Sequence, residues 1–234
     1  MNEVSALYRH RFSDAELTNK HKIWRVLCRD FFQKYIRRDD VVLDLGCGYG
    51  EFINNIEAGK KHGLDLNPDT PRFLTGDIEF HATSAADLTP VAADNTIDVV
   101  FTSNFLEHLP DKATLSQVFA EVYRVLRPGG RFLALGPNIR FVAGAYWDFF
   151  DHHLPLTHAT IAEGLAISGF DVDLIIDRFL PYTTKSALPQ HPWLVQAYLK
   201  VPLMWKLLGG QFFVVGHKPK GMISRDNEGV SGPT

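Results

Sequence analysis

Between Val41 and Gly50 the chain reads Val-Val-Leu-Asp-Leu-Gly-Cys-Gly-Tyr-Gly, an apolar run that closes on an acid and then on closely spaced glycines. Glycines at such a turn let the backbone approach a ligand and adopt positive φ, so Gly46, Gly48 and Gly50, with Cys47 among them, are candidates to cradle a nucleotide or nucleoside. The acids narrow the choice. A pyrophosphate seeks the positive N-terminus of the segment that follows, and Asp44 with Glu51 would repel it. The third glycine also comes after one residue, where the dinucleotide fingerprint has two. A nucleoside that carries its own positive charge suits this loop. Asp65, about twenty residues on and followed by Leu66, is placed to accept from both ribose hydroxyls of either kind of nucleoside. Asp87-Leu88 offers a carboxylate and a neighbouring backbone to an adenine ring, or equally a turn residue.

The elements that position these residues follow from periodicity. Leu17 to Ile36 carries Ile23, Trp24, Leu27, Phe31 and Tyr35 at helical spacing. Val41 to Leu45 reads as a buried parallel strand, followed by a helix from about Glu51 to Glu57. Further strands are expected at Gly63 to Leu66, Glu79 to Ser84 and Ile97 to Thr102. A helix over Leu115 to Leu126 is halted by Arg127-Pro128-Gly129-Gly130 before a strand over Arg131 to Leu135. Thr157 to Ser168 is helical, and strands at Asp171 to Phe179 and Gly210 to Gly216 complete the set. The alternation predicts an α/β fold: a Rossmann-like, doubly wound seven-stranded sheet, mostly parallel with the last strand antiparallel, and helices on both faces. One domain is expected over residues 1–220, with a helical cap at 1–38 and insertions at about 137–156 and 181–209. Residues 221–234, rich in Gly, Ser, Asp, Asn and Pro, read as a disordered tail.

With 234 residues and 45% hydrophobic content the chain can bury one substantial core. A formal charge of -3 supplies no basic field for nucleic acid. Cys28 and Cys47 are the only cysteines, which fits a reducing, cytoplasmic setting. Neither an export signal nor an apolar run of membrane-spanning length is present, so no integral membrane segment is expected.

Taken together, VLDLGCGYG, GLDLNP, AADL, IDVVFTSNFLEHL and EVYRVLRPGGRFLALGPN resemble the class I S-adenosylmethionine (SAM)-dependent methyltransferase family over roughly Val41 to Asn138. The resemblance implies S-adenosyl-L-methionine, with its ammonium and sulfonium, as cofactor. It places Gly46, Gly48 and Gly50 around the methionine part, Asp44 near its amino end, Asp65 on the ribose, and Asp87 and Leu88 at the adenine. Asn104 and Phe105 would line the cleft beside the methyl group. The acceptor lies outside what the resemblance carries, because the long segments after the fifth strand and between the last two are where members differ.

Methyl transfer is an in-line displacement, so holding acceptor and methyl group aligned can supply much of the catalysis, and a base is needed only where the acceptor loses a proton. His108, after the fourth strand, is one candidate base; its alternative role, with Glu107, is to shape the loop. Tyr146 to His153 forms a second cluster, in which His152 or His153 is a candidate base for a hydroxyl or carboxylic acid. Asp148, Asp151 and His153 are an alternative set of metal ligands, though their spacing matches no strong motif and no metal is assigned; a packed aromatic loop is the plainer alternative. The apolar insertion at 181–209 reads as a lid, a pocket wall, a homodimer contact, a docking surface for membrane lipid or a satellite core. Lid or dimer contact is favoured over the membrane because Lys200 and Lys206 are its only nearby cations. Tyr8, Arg11, Phe12 and Trp24 read as residues that close over the cofactor. The leading expectation is methylation of a hydroxyl or carboxyl oxygen on a small-molecule acceptor with an apolar or sugar-like part. A nicotinamide-dependent oxidoreductase and a non-catalytic SAM-binding module are the alternatives.

Overall fold

In the computed structural model, which describes residues 14–182 and 191–221, the strands are β1 (Val41–Leu45), β2 (Lys60–Leu64), β3 (Ile78–His81), β4 (Ile97–Ser103), β5 (Leu126–Pro137), β6 (Asp171–Ile176) and β7 (Gln211–His217). They make one sheet in the order β3-β2-β1-β4-β5-β7-β6. The pairs from β3 through β5 are parallel, and β7 runs antiparallel to both β5 and β6. This is the Rossmann-like sheet that the sequence predicts, with the reversed strand wedged between β5 and β6.

Period-two alternation in the central strands sends side chains to two separate cores. Leu43, Leu45, Val100, Phe132 and Ala134 pack against α2 (Lys112–Val125), which buries Leu115, Val118, Phe119, Val122 and Val125, and against α4 (His158–Ile167), which buries Ile161 and Leu165. Each such fully buried Val, Leu, Ile or Phe side chain contributes about 1.5–3 kcal/mol. On the other face Val42, Val99, Phe101 and Leu133 meet α1 (Asp14–Asp30), which buries Trp24, Leu27 and Cys28. Trp24 packs against Phe32 and Phe101 in that core, so it does not close over a ligand as the sequence reading has it. Tyr8, Arg11 and Phe12 lie outside the described residues, as do 222–234 of the tail.

The local differences from expectation have physical causes. Residues 51–55 form a run of turns in place of the expected helix. The Asn55 side chain donates to the Glu51 carbonyl, the acceptor that a helix would give to the Asn55 N–H, and that N–H turns to Phe52 O instead. The Asn54 side chain bonds Phe73 O and Thr75 N–H across the loop. Arg127 to Gly130 does not separate helix from strand: β5 begins at Leu126, pairs with Ile97, and absorbs those residues in an irregularity before Arg131 resumes opposite Val99. The first helix ends at Asp30, and a 3-10 turn at Phe32–Tyr35 carries the aromatic residues onward.

Past β5 lie a one-turn α3 (Ile139–Val142) and a 3-10 segment, Ala143–Asp148. The insertion at 181–209 folds into α5 (Pro192–Leu199) and α6 (Pro202–Leu208), residues 183–190 being outside the description. Its inner side is a satellite core: Trp205 lies 5.1 Å from Phe179 and 5.9 Å from Phe31, and its indole donates to Tyr198 O. Trp193, Leu203 and Leu207 face outward. No helix among the described residues is long and apolar enough to cross a membrane.

Candidate active site

The carboxyl ends of β1 and β4 meet beside the glycine loop, the position at which open α/β sheets bind ligands. Leu45 pairs with Thr102, and beyond them the Phe105 ring lies against Gly46. Gly46 has φ +68°, and a Cβ there would fall 2.5 Å from that ring, so glycine is required both by backbone and by space. Gly48 and Gly50 also adopt positive φ. Asn104 does too, at 49°, which asparagine tolerates better than most residues; its N–H is held by Leu135 O.

Around the loop stand three carboxylates. Asp65, just past β2, accepts from Gly48 N–H at 2.7 Å and from Asn67 N–H at 2.8 Å and is buried. A carboxylate has about four lone-pair sites, so these two bonds fix its orientation and leave acceptor capacity. Burial nevertheless raises its pKa. Asp44 is buried, and its pKa lies well above the ordinary carboxylate range, first through desolvation and then through repulsion from Glu51 and Asp65. Glu51 is the exception: burial raises it, but Lys20 of α1, at 2.7 Å, pulls its pKa down. Burial also pushes the Cys28 and Cys47 thiols up, so neither is a nucleophile.

Leu66 stands exposed next to Asp65. Asp87 is exposed and accepts from Thr89 N–H, an Asx turn, while buried Leu88 donates its N–H to the Glu121 carboxylate at 2.7 Å. The sequence reading gave no part to Glu121, which is held in turn by Arg124.

Folding brings together residues that lie far apart along the chain. The Glu107 carbonyl accepts from the N–H groups of His153 and Leu154, clamping the 146–154 segment to the end of β4. His108 Nδ1 then lies 2.9 Å from Asp151 O and 3.2 Å from the Asp151 carboxylate. The His152 ring stacks on Phe149 and meets the His108 ring edge-on at 4.9 Å. Burial works against the His108 imidazolium, but Asp151 and Glu107 outweigh it and hold the pKa above the usual histidine value. Buried Glu107 is itself raised by desolvation. Tyr146 donates to Leu154 O and closes the back of the cluster. His153 and Asp148 are exposed, so Asp148, Asp151 and His153 do not gather as metal ligands; Asp151 is engaged with His108 instead.

Sheet order and site geometry together define a Rossmann-like α/β protein with an acidic, glycine-rich loop at the carboxyl edge of its sheet. Residues 43–134 match the family described as a methyltransferase domain. A demethylmenaquinone methyltransferase of Symbiobacterium thermophilum is 28% identical over 57% of this chain and 58% of its own length. The ubiquinone/menaquinone biosynthesis C-methyltransferase UbiE of Klebsiella pneumoniae is 29% identical over 61% of each chain. This chain therefore spans about three fifths of those relatives. A SAM-dependent methyltransferase from Archaeoglobus fulgidus has the same fold, with a TM-score of 0.63 at 20% identity over 85% of this chain and 94% of that one. The chain is thus similar to class I SAM-dependent methyltransferases, in sequence over residues 43–134 and in fold over most of the sheet.

The residues present fit that family's cofactor. Asp44 and Asp65 are buried acids whose charged forms are penalised, and a ligand bearing an ammonium and a sulfonium offsets that penalty where a pyrophosphate would add to it. The sign for Asp44 follows from linkage. Folding raises its pKa, so its contribution to stability is fully present below the ordinary value of about 3.9 and is lost as pH rises through the folded value. Asp44→Asn is accordingly expected to raise the Tm of the ligand-free protein at neutral pH while weakening SAM. Wild-type affinity for SAM is expected to rise with pH over the span in which ligand-free stability falls. Scanning fluorimetry and calorimetry read both; a lower Tm together with unchanged affinity contradicts the assignment.

Proposed function

We propose that this chain is a SAM-dependent methyltransferase that methylates a hydroxyl or carboxyl oxygen of a small metabolite with an apolar or sugar-like part. The observation that carries the reading is His108, anchored through Nδ1 on Asp151 at the same sheet edge as the glycine loop. With Nδ1–H donated to Asp151, Nε2 keeps its lone pair and can take the acceptor's proton. Held by the glycine loop, Asp44 and Asp65, SAM would supply an electrophilic methyl group on a positively charged sulfur, the carbon–sulfur bond breaking as the acceptor oxygen takes the methyl and neutral S-adenosylhomocysteine being left.

The rest of the site binds and aligns. Gly46, Gly48 and Gly50 admit the methionine part, with Cys47 in the loop; Asp44 faces its amino end and Asp65 takes the ribose hydroxyls. Exposed Leu66 is covered by the adenine ring, with Asp87 and Leu88 at that ring's polar edge. Asn104 and Phe105 line the cleft, and Tyr146, Phe149 and His152 give an aromatic wall to an apolar acceptor.

A second reading is favoured by the names of the relatives, which act in menaquinone and ubiquinone methylation: His108 deprotonates a quinol-like hydroxyl, and the methyl group goes to a ring carbon conjugated with it. Incubation with methyl-labelled SAM and a panel of phenols, quinols and carboxylic acids, followed by NMR of the transferred methyl, separates the two. An O-methyl resonance supports the first reading and a C-methyl resonance the second. Saturable SAM binding with no transfer to any acceptor would leave a binding module.

A further inference from the structure

At the β3 edge of the sheet a second cluster of donors lies outside the cofactor pocket. His62 of β2 pairs in register with Glu79 of β3, and Leu64 with His81, so alternation puts His62, Glu79 and His81 on one face. His62 Nδ1 is 3.0 Å from His81 Nε2. The Glu79 carboxylate oxygens lie 3.6 Å from His62 Nδ1 and 3.7 Å from His81 Nε2.

The last two distances are too long for hydrogen bonds. They are the right length for something else. They end on different oxygens, Oε2 toward His62 and Oε1 toward His81, so the carboxylate straddles the two imidazoles. One donor atom from each of the three residues lies within 4.8 Å of the other two, a spacing that a metal ion with bonds of about 2.0–2.2 Å to nitrogen and oxygen can draw together. His62 is buried, His81 half-buried and Glu79 exposed, so an ion can enter from the Glu79 side and keep a water in its fourth position. Among the described residues one other group, Glu107, His108 and His152, has comparable spacing, and it belongs to the site already described.

We propose that His62, Glu79 and His81 form a binding site for a divalent transition-metal ion of the zinc type, with two imidazoles and one carboxylate from the protein and one open position. The ion cross-links the four-residue edge strand β3 to β2. It has one built-in competitor: Lys60 places its ammonium 3.0 Å from a Glu79 oxygen, and must give way as the ion enters.

The test uses the tag-free full chain, stripped with a chelator, and follows Co2+ by visible absorption and Zn2+ by calorimetry. One ion per chain is expected, with Glu79→Gln and His81→Gln each weakening uptake by about tenfold or more. Lys60→Met is expected to tighten it, which a loss of packing would not do. SAM titration of the same variants, unchanged from wild type, shows that the fold is intact. Absence of saturable uptake by the wild-type chain, or uptake insensitive to both Glu79→Gln and His81→Gln, overturns the proposal.

Discussion

His108→Asn is expected to slow methyl transfer by about 10²- to 10⁴-fold while SAM affinity stays within about twofold. The split follows from placement. His108 sits on the 3-10 turn after β4, bonded to Asp151 of the clamped segment, and the acids assigned to the cofactor lie elsewhere, Asp44 near the end of β1 and Asp65 just past β2. A proton acceptor must be neutral, so kcat/KM should rise with pH through the His108 pKa, and Asp151 and Glu107 place that limb above the ordinary imidazole range. Asp151→Asn removes the larger stabiliser of the imidazolium and should move the limb to lower pH, whereas a role confined to holding the loop would lower activity at every pH alike. Turnover of His108→Asn equal to wild type, with the limb unmoved in Asp151→Asn, would assign the proton to another group or to none.

The half of the site proposed to bind the cofactor stands out in the sequence because its determinants are local. A buried parallel strand shows as an unbroken apolar run, and Asp44 and the glycines follow it directly in the chain. The half proposed to be catalytic depends on contacts across long separations. His108 and Asp151 are 43 residues apart, and what joins them is the Glu107 carbonyl accepting from His153 and Leu154, a backbone link that no side-chain pattern announces. The Lys20 to Glu51 ion pair, which spares Glu51 the fate of Asp44, is invisible for the same reason. The misplaced helix at 51–57 had a local cue: consecutive asparagines, Asn54 and Asn55, whose amides compete for backbone partners. His62 also left a mark, an imidazole at a strand position that faces the core, whose meaning depended on the register with β3.

Asp65→Ala is expected to weaken SAM by about 2–4 kcal/mol, roughly 30- to 700-fold in Kd. Part of that loss is indirect, because the Asp65 carboxylate also holds the N–H groups of Gly48 and Asn67 and so shapes the glycine loop. The two contributions separate in a cycle that pairs the substitution with a 2′-deoxy analogue of S-adenosylhomocysteine, measured by calorimetry. If the carboxylate takes the ribose hydroxyl, removing either partner first leaves little for the other to lose, and the two losses are far from additive. If Asp65 serves only the loop, the deoxy analogue binds Asp65→Ala and wild type with the same penalty, and the losses add. Non-additivity therefore measures the contact to the sugar apart from the loop, and additivity removes Asp65 from the ribose.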